Sequence, residues 1–303
     1  MARANPEVDG GRSIREVLTA GQRLFMAGLG DVFPWVLAAE LLQLLPGADT
    51  GGILDTDLSL FLNPVYLAKA LILGGAQALL YAVAVTRLAQ LAGGPAGAVG
   101  WSALRAMPAV LVGYIIYMLV VLLGCGLGAL LFVIGMFVMG PLAGLVLSVI
   151  ALGPTAAAST ALAFFIYPAV LERQGPIAAL NESSRLARGS WTRASLVVSV
   201  PALALLAAWL AGNGVEFTQS LSAALKQISN LQESMSSGQL QALLAGGADQ
   251  AALKLEVQVA WGWRLLGAVA GAVAWWYTLT VCYAEFRDLK LRAAARAVGK
   301  KTH

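Results

Sequence analysis

Histidine is almost missing from this chain: the single one is His303, the last residue. A Ser-His-Asp set, an H-E-x-x-H zinc motif and any imidazole-based metal centre need histidine inside a fold, so all are excluded. Cysteine is nearly as scarce, with Cys125 and Cys282 alone. Both fall within long apolar stretches, near opposite faces of the expected bundle, and no C-x-x-C spacing exists. They read as small buried apolar residues and not as a disulfide or redox pair. No G-x-x-x-x-G-K-[ST] loop occurs, which argues against a P-loop ATPase. Charge is also short. Asp, Glu, Lys and Arg make up 12% of the residues, about half the share of an ordinary soluble domain. No catalytic set, no metal site and no cofactor are therefore expected, and the chain reads as non-enzymatic.

What is present is apolar surface. The hydrophobic fraction is 59% and the mean hydropathy +0.76. A bilayer core about 30 Å thick needs roughly 20 mostly apolar helical residues to cross it. Six segments meet or approach that length: about 24–45, 64–91, 107–134, 142–170, 193–213 and 259–283. The fold class expected is an all-α polytopic membrane bundle of six transmembrane helices in a single domain over residues 1–303. No secretory signal is expected, because Leu24 opens a long span with no cleavage-like site after a short core.

Local signals punctuate these spans. Ser13 followed by Glu16 forms a capping-box pattern, and Ile14, Val17, Leu18, Leu24 and Phe25 share one face. An amphipathic interfacial helix is expected over 12–23, running into the first span. Gly30, Asp31 and Pro34 mark a kink or restart in that span, with Asp31 as the expected N-cap. Asn63-Pro64 is an N-cap and first-turn proline for the second span. Residues 135–141 are expected to form a brief turn between spans three and four. Pro201 within the fifth span is tolerable because neighbouring helices re-satisfy the freed carbonyl.

Orientation follows from the basic residues. Of the twenty Lys and Arg, all but Lys226, Lys254, Lys69 and Arg264 lie at the N-terminus, in two inner loops, at the inner end of the second span, or in the tail. Both termini are therefore expected on the cytoplasmic side. The net charge of +4 is explained by this bias, and no nucleic-acid partner is expected.

Two segments carry a family resemblance. Tyr167-Pro168, Glu172, Ala179-Leu180, Ser183, Leu186, Arg188-Gly189 and Trp191 form a P-x-x-x-E pattern followed by A-L-x-x-S-x-x-L-x-R-G-x-W. Tyr283-Ala284-Glu285-Phe286-Arg287-Asp288-Leu289 closes the last span, with Phe286 where a leucine is usual. Together they resemble a loop and a closing stretch in YciC-like bacterial inner-membrane proteins and in the membrane domain found beside some glycerophosphoryl diester phosphodiesterases. The resemblance implies a six-helix fold in the bacterial inner (cytoplasmic) membrane. It covers the membrane part alone, so it implies no phosphodiesterase activity for these residues.

Candidate sites come from polar residues in costly places. Glu40, Lys69 and Arg264 sit at membrane depth towards the outer half, where an ion is expensive. Glu40 is expected either to pair with Lys69 or Arg264, or to face an aqueous notch while the two cations snorkel outward. On the inner side, Arg185, Arg188, Trp191 and Arg193 are candidates for an anionic lipid headgroup, although the positive-inside rule alone would also place the arginines there. Pairs of Glu172 with Arg188 or Glu182 with Arg185 would fix that loop.

The small residues Gly124, Gly126 and Gly128, and Gly267-x-x-x-Gly271, suit close helix contact. Phe217, Leu221, Leu225, Ile228 and Leu231 form one helical stripe within an outer polar loop over 214–258. It would lie on the bundle or meet a periplasmic or membrane protein partner through 215–231. Membrane lipids are the other expected partner. Lipid handling or envelope assembly is the function expected, with a small-solute transporter or channel as the alternative.

Overall fold

The structure, a computed structural model, describes residues 12–44, 64–94, 99–208, 210 and 261–299. Every regular element among them is a helix, and five are long and apolar enough to cross a membrane. In chain order these are α1 (Ile14–Ala27), α2 (Phe33–Leu41, ending in a 3-10 turn Leu42–Leu44), α3 (Pro64–Leu91), α4 (Val99–Met139), α5 (Pro141–Leu162), α6 (Ile166–Leu171), α7 (Pro176–Arg188), α8 (Trp191–Ala208) and α9 (Trp261–Gly299). Residues 48–63, with the expected N-cap Asn63, and the apolar stripe 215–231 lie outside the described residues.

The α1 helix begins as the capping box requires. The Ser13 hydroxyl accepts from the Glu16 N–H at 3.3 Å, and the Ser13 N–H donates to the Glu16 carboxylate at 2.6 Å. The apolar stripe of α1 is turned onto α9. Running antiparallel to it, α1 sets the Arg12 N–H on Asp288, Gly21 on Val281 and Gly28 on Trp276. A Cβ at Gly21 would stand 2.8 Å from the Val281 backbone. Glycine is what allows the two axes to come this close.

The kink or restart expected within the first span, 24–45, is present as a break between α1 and α2. Gly28 is the C-cap of α1, and the chain turns before α2 starts. Val32 is the N-cap and makes no side-chain cap bond, while Asp31 is exposed. The expected capping role of Asp31 is thus not realised. Pro34 sits in the first turn, where a missing N–H costs nothing, so the restart does not need a side-chain acceptor. What remains of this span is the short apolar helix Phe33–Leu44.

Other boundaries shift for physical reasons. The turn expected at 135–141 contracts to Gly140, whose φ of +96° is a conformation that glycine adopts without strain. Gly135 belongs instead to the α4–α5 contact. A Cβ there would lie 2.6 Å from the Cα of Gly144. Gly124 and Gly128 face Thr155 and Leu152 of α5, which is close packing, whereas Gly126 meets nothing within 4 Å. The fourth span breaks at Ala163–Phe165, where the Ser183 hydroxyl accepts from the Phe164 N–H and donates to the Ala161 carbonyl.

The last helix runs well past the expected end at 283. At 39 residues, α9 is about 58 Å long, nearly twice the bilayer core. Its middle is the centre of the core. Trp276 is fully buried, stacks near Phe25 and donates its indole N–H to the Phe25 carbonyl at 3.0 Å. That bond is what lets a polar-edged ring sit inside the bundle. By contrast, α4 and α5 present large apolar side chains outward, such as Leu123, Val138 and Leu142. In water such a surface would be untenable; against lipid tails it is the solvated face.

The glycine contacts make a paired prediction. Replacing Gly135 with Ala should destabilise the protein by about 1–3 kcal/mol, since backbone cannot yield as a side chain can. Replacing Gly126 with Ala should leave the melting temperature in detergent unchanged. Equal effects of the two would refute the packing geometry.

Candidate functional site

The two segments that carry the family resemblance come together at one end of the bundle. On α7 the letters of the pattern form its buried face: Ala179, Leu180, Ser183 and Leu186 are all buried. Tyr167, on α6, is buried against α9. Its ring stacks on Phe286 at 5.2 Å and meets Tyr283 at 5.7 Å, and its hydroxyl donates to the Leu279 carbonyl at 2.8 Å.

Charge then closes the contact. Glu285 and Asp288, three residues apart on α9, are both buried. Arg193 of α8 reaches both carboxylates, with Nε 3.0 Å from Glu285 Oε1 and Nη2 3.0 Å from Asp288 Oδ2. Arg292, one turn on, meets Asp288 Oδ2 at 2.6 Å. The other Asp288 oxygen accepts the Arg12 N–H at 2.9 Å, and Arg292 donates to the Arg12 carbonyl at 2.9 Å. The start of α1 is thus held at both of its backbone groups.

A second, more open cluster surrounds Lys290. Its Nζ lies 2.8 Å from Glu172 and 2.6 Å from Glu182. Arg185 completes it through Nε to Glu182 at 2.8 Å. The Glu182–Arg185 pair therefore forms as anticipated, while Glu172 takes Lys290 and not Arg188. The hydrogen bond from Arg185, helped by Lys290 and opposed by burial, lowers the Glu182 carboxyl from 4.5 to about 2. The same pairing raises the Arg185 guanidinium above its ordinary value. Further along α9, Arg287 donates to the Ala92 carbonyl and Arg296 to the Gly189 carbonyl. Helices α1, α3, α7, α8 and α9 are in this way tied together at one end.

The headgroup candidates now separate. Arg185 is largely exposed at its side chain despite its partner. Arg188 is exposed, and Trp191 is 44% exposed. Arg193, in contrast, is turned inward and committed to two carboxylates. Lys290, Arg292 and Asp288 were not among the sequence candidates. The i, i+3 and i+7 spacing of Glu285, Asp288 and Arg292 does place them on one helical face.

On α2, Glu40 is buried. It accepts from the Tyr81 hydroxyl on α3 and from the Gln43 amide at 3.3 Å. The expected pair with Lys69 does not form. Lys69 is on an exposed face of α3, three helical turns before Tyr81. Arg264 is part of α9, but its side chain lies outside the described residues. Gly271 faces Glu40, with 3.3 Å between a Cβ built there and Oε2. Among the described residues, no group of three His, Cys, Asp or Glu could hold a metal ion. The chain matches no protein-family model, no curated protein and no solved structure.

Replacing Arg193 with Ala strands the buried Glu285, while Asp288 keeps Arg292, and should cost about 3–5 kcal/mol, whereas Arg185→Ala should cost under about 1 kcal/mol. Chemical denaturation in detergent checks both, and similar costs would contradict the difference in burial. Acid provides a second test. A lowered carboxyl contributes stability that is complete above its ordinary value and lost as pH falls through its folded value. The wild type should therefore lose more stability than Glu182→Gln between pH 4.5 and about 2.

Proposed function

We propose that this chain is a non-enzymatic integral protein of the bacterial inner membrane that handles anionic lipid at its cytoplasmic face. The observation that carries this reading is the exposed set Arg185, Arg188 and Trp191 around the junction of α7 and α8. Nearby carboxylates are already matched by Arg193, Lys290 and Arg292. Arg188 and Trp191 are then the groups left facing outward. Guanidinium forks grip phosphate oxygens in pairs, and an indole settles at headgroup level.

Six crossings with both ends inside complete the proposal. The five long helices supply five. The sixth is the crossing expected over 24–45, carried by the end of α1 and by α2, which packs on α9 at Gly271, with the amphipathic start of α1 at the inner interface. The basic bias of the sequence and the likeness to YciC-like proteins support the same orientation and location. The alternative, a small-solute transporter or channel, has one observation in its favour, the buried polar contact at Glu40.

Native mass spectrometry of protein extracted gently from its own membrane tests the lipid reading. An anionic phospholipid should be retained selectively. Each cation near such a surface is worth about 1 kcal/mol, so Arg188→Ala should reduce retention roughly fivefold and Arg185→Ala/Arg188→Ala more. Retention that ignores both substitutions, or shows no headgroup preference, would sink the proposal.

A further inference from the structure

Glu40 lies in the short apolar helix α2, with 6% of its surface exposed. An ionised carboxylate in such a place is stable when a cation neutralises it, and otherwise takes up a proton. The groups around it are specific. On α3 the neighbour is the Tyr81 hydroxyl, and on α2 itself the Gln43 amide. Tyr114 of α4 lies close enough to Glu40 for the two to interact. On α9 the facing residue is Gly271, which has no side chain to offer. The cations of α3 are both exposed, Lys69 towards its start and Arg87 towards its end. Further along α9, Tyr277 is nearly two turns from Gly271, and Arg264 is two turns away on the other side, roughly 10 Å along the axis. Among the described residues, each polar contact of Glu40 is thus a neutral hydrogen-bonding group.

The same arrangement argues against a metal ion. Both carboxylate oxygens already accept from donors, and a hard cation needs several converging oxygen acceptors. A proton is the ligand that this constellation accommodates: it neutralises the carboxyl and leaves the tyrosine and glutamine bonds in place.

We propose that Glu40, held by Tyr81 and Gln43 and opposed by Gly271, is a proton-binding site inside the membrane bundle. It is independent of the lipid-facing arginines, which lie at the other end of the α1–α2 unit. A buried site of this kind exchanges hydrogen ions when the α2–α9 contact opens, which would give the bundle a means of responding to pH on the side that α2 faces.

Infrared spectroscopy of the full chain in lipid vesicles tests this directly. At neutral pH the wild type should show the carbonyl stretch of a protonated carboxylic acid. That band should vanish in Glu40→Gln and shift in frequency in Tyr81→Phe, which keeps the carboxyl but removes one partner. Dicyclohexylcarbodiimide gives an independent readout. The proton and carboxyl oxygen of an undissociated acid add across its C=N bond, and the adduct rearranges to a stable acylurea with no leaving group. Peptide mass spectrometry should find that adduct on Glu40, decreasing at least tenfold as pH is raised from neutral to alkaline. Glu285 is just as buried but paired with Arg193, and it should remain unlabelled.

No carboxylic-acid band in the wild type would mean that Glu40 is ionised and would overturn the proposal. A band that survives Glu40→Gln and ignores Tyr81→Phe would assign the proton to another residue and overturn it equally. Should Glu40→Gln fail to fold, the Tyr81→Phe shift and the labelling pattern decide the matter together.

Discussion

Two carboxylates that have been taken out of water organise this molecule. Glu285 and Asp288 are buried on α9; Glu285 is not tolerable there without Arg193, which it shares with Asp288. That need fixes where α8 begins relative to α9. The remaining oxygen of Asp288 then fixes the start of α1 through its backbone N–H. Once the ends are set, the apolar contacts of Trp276, Val281 and Tyr167 follow along the helices. Lipid-facing helices gain little from burying apolar surface against one another, since lipid tails are equally apolar. A polar joint at the membrane edge supplies the specificity that such contacts lack.

Much of this was legible in the sequence because it rests on local rules. Ser13 and Glu16 announce their capping box, and Pro64 and Leu91 bound a helix as composition requires. The small residues at Gly124 and Gly128 pack as their spacing implies. Helix ends were misjudged where hydropathy is a poor guide. The chain beyond Tyr283 turns polar, so it resembles the end of a span, yet it continues as helix because Asp288, Lys290 and Arg292 all find partners on other elements. The break after Gly28 is announced locally by Gly30, Asp31 and Pro34, whereas the closeness of Gly28 to the Trp276 ring is remote in sequence and invisible to any local pattern.

The site was partly legible for the same reason. The buried face of α7 coincides with the quoted pattern of alanine, leucine and serine, so periodicity reported it. Arg193 shows the limit. As a basic residue beside a tryptophan it has the signature of a headgroup ligand, and only the distant Glu285 and Asp288 turn it inward. Glu40 is the reverse case. Its cost at membrane depth was plain, but the identity of its partner was not. Lys69 lies on an exposed face of α3, while a tyrosine, which carries no formal charge to draw notice, makes the contact.

The length of α9 has a mechanical side. A single helix of about 58 Å behaves as a lever arm whose fulcrum is the packed middle near Trp276. Pivoting by about 10° there would carry its two ends several ångströms in opposite directions. On one side of that fulcrum the Gly271 face would shift by about 1 Å against Glu40; on the other, Asp288 would carry the start of α1 by about 3 Å. Leverage of this kind makes events at the two membrane surfaces parts of one motion, without any signal having to pass through the lipid-facing helices between them.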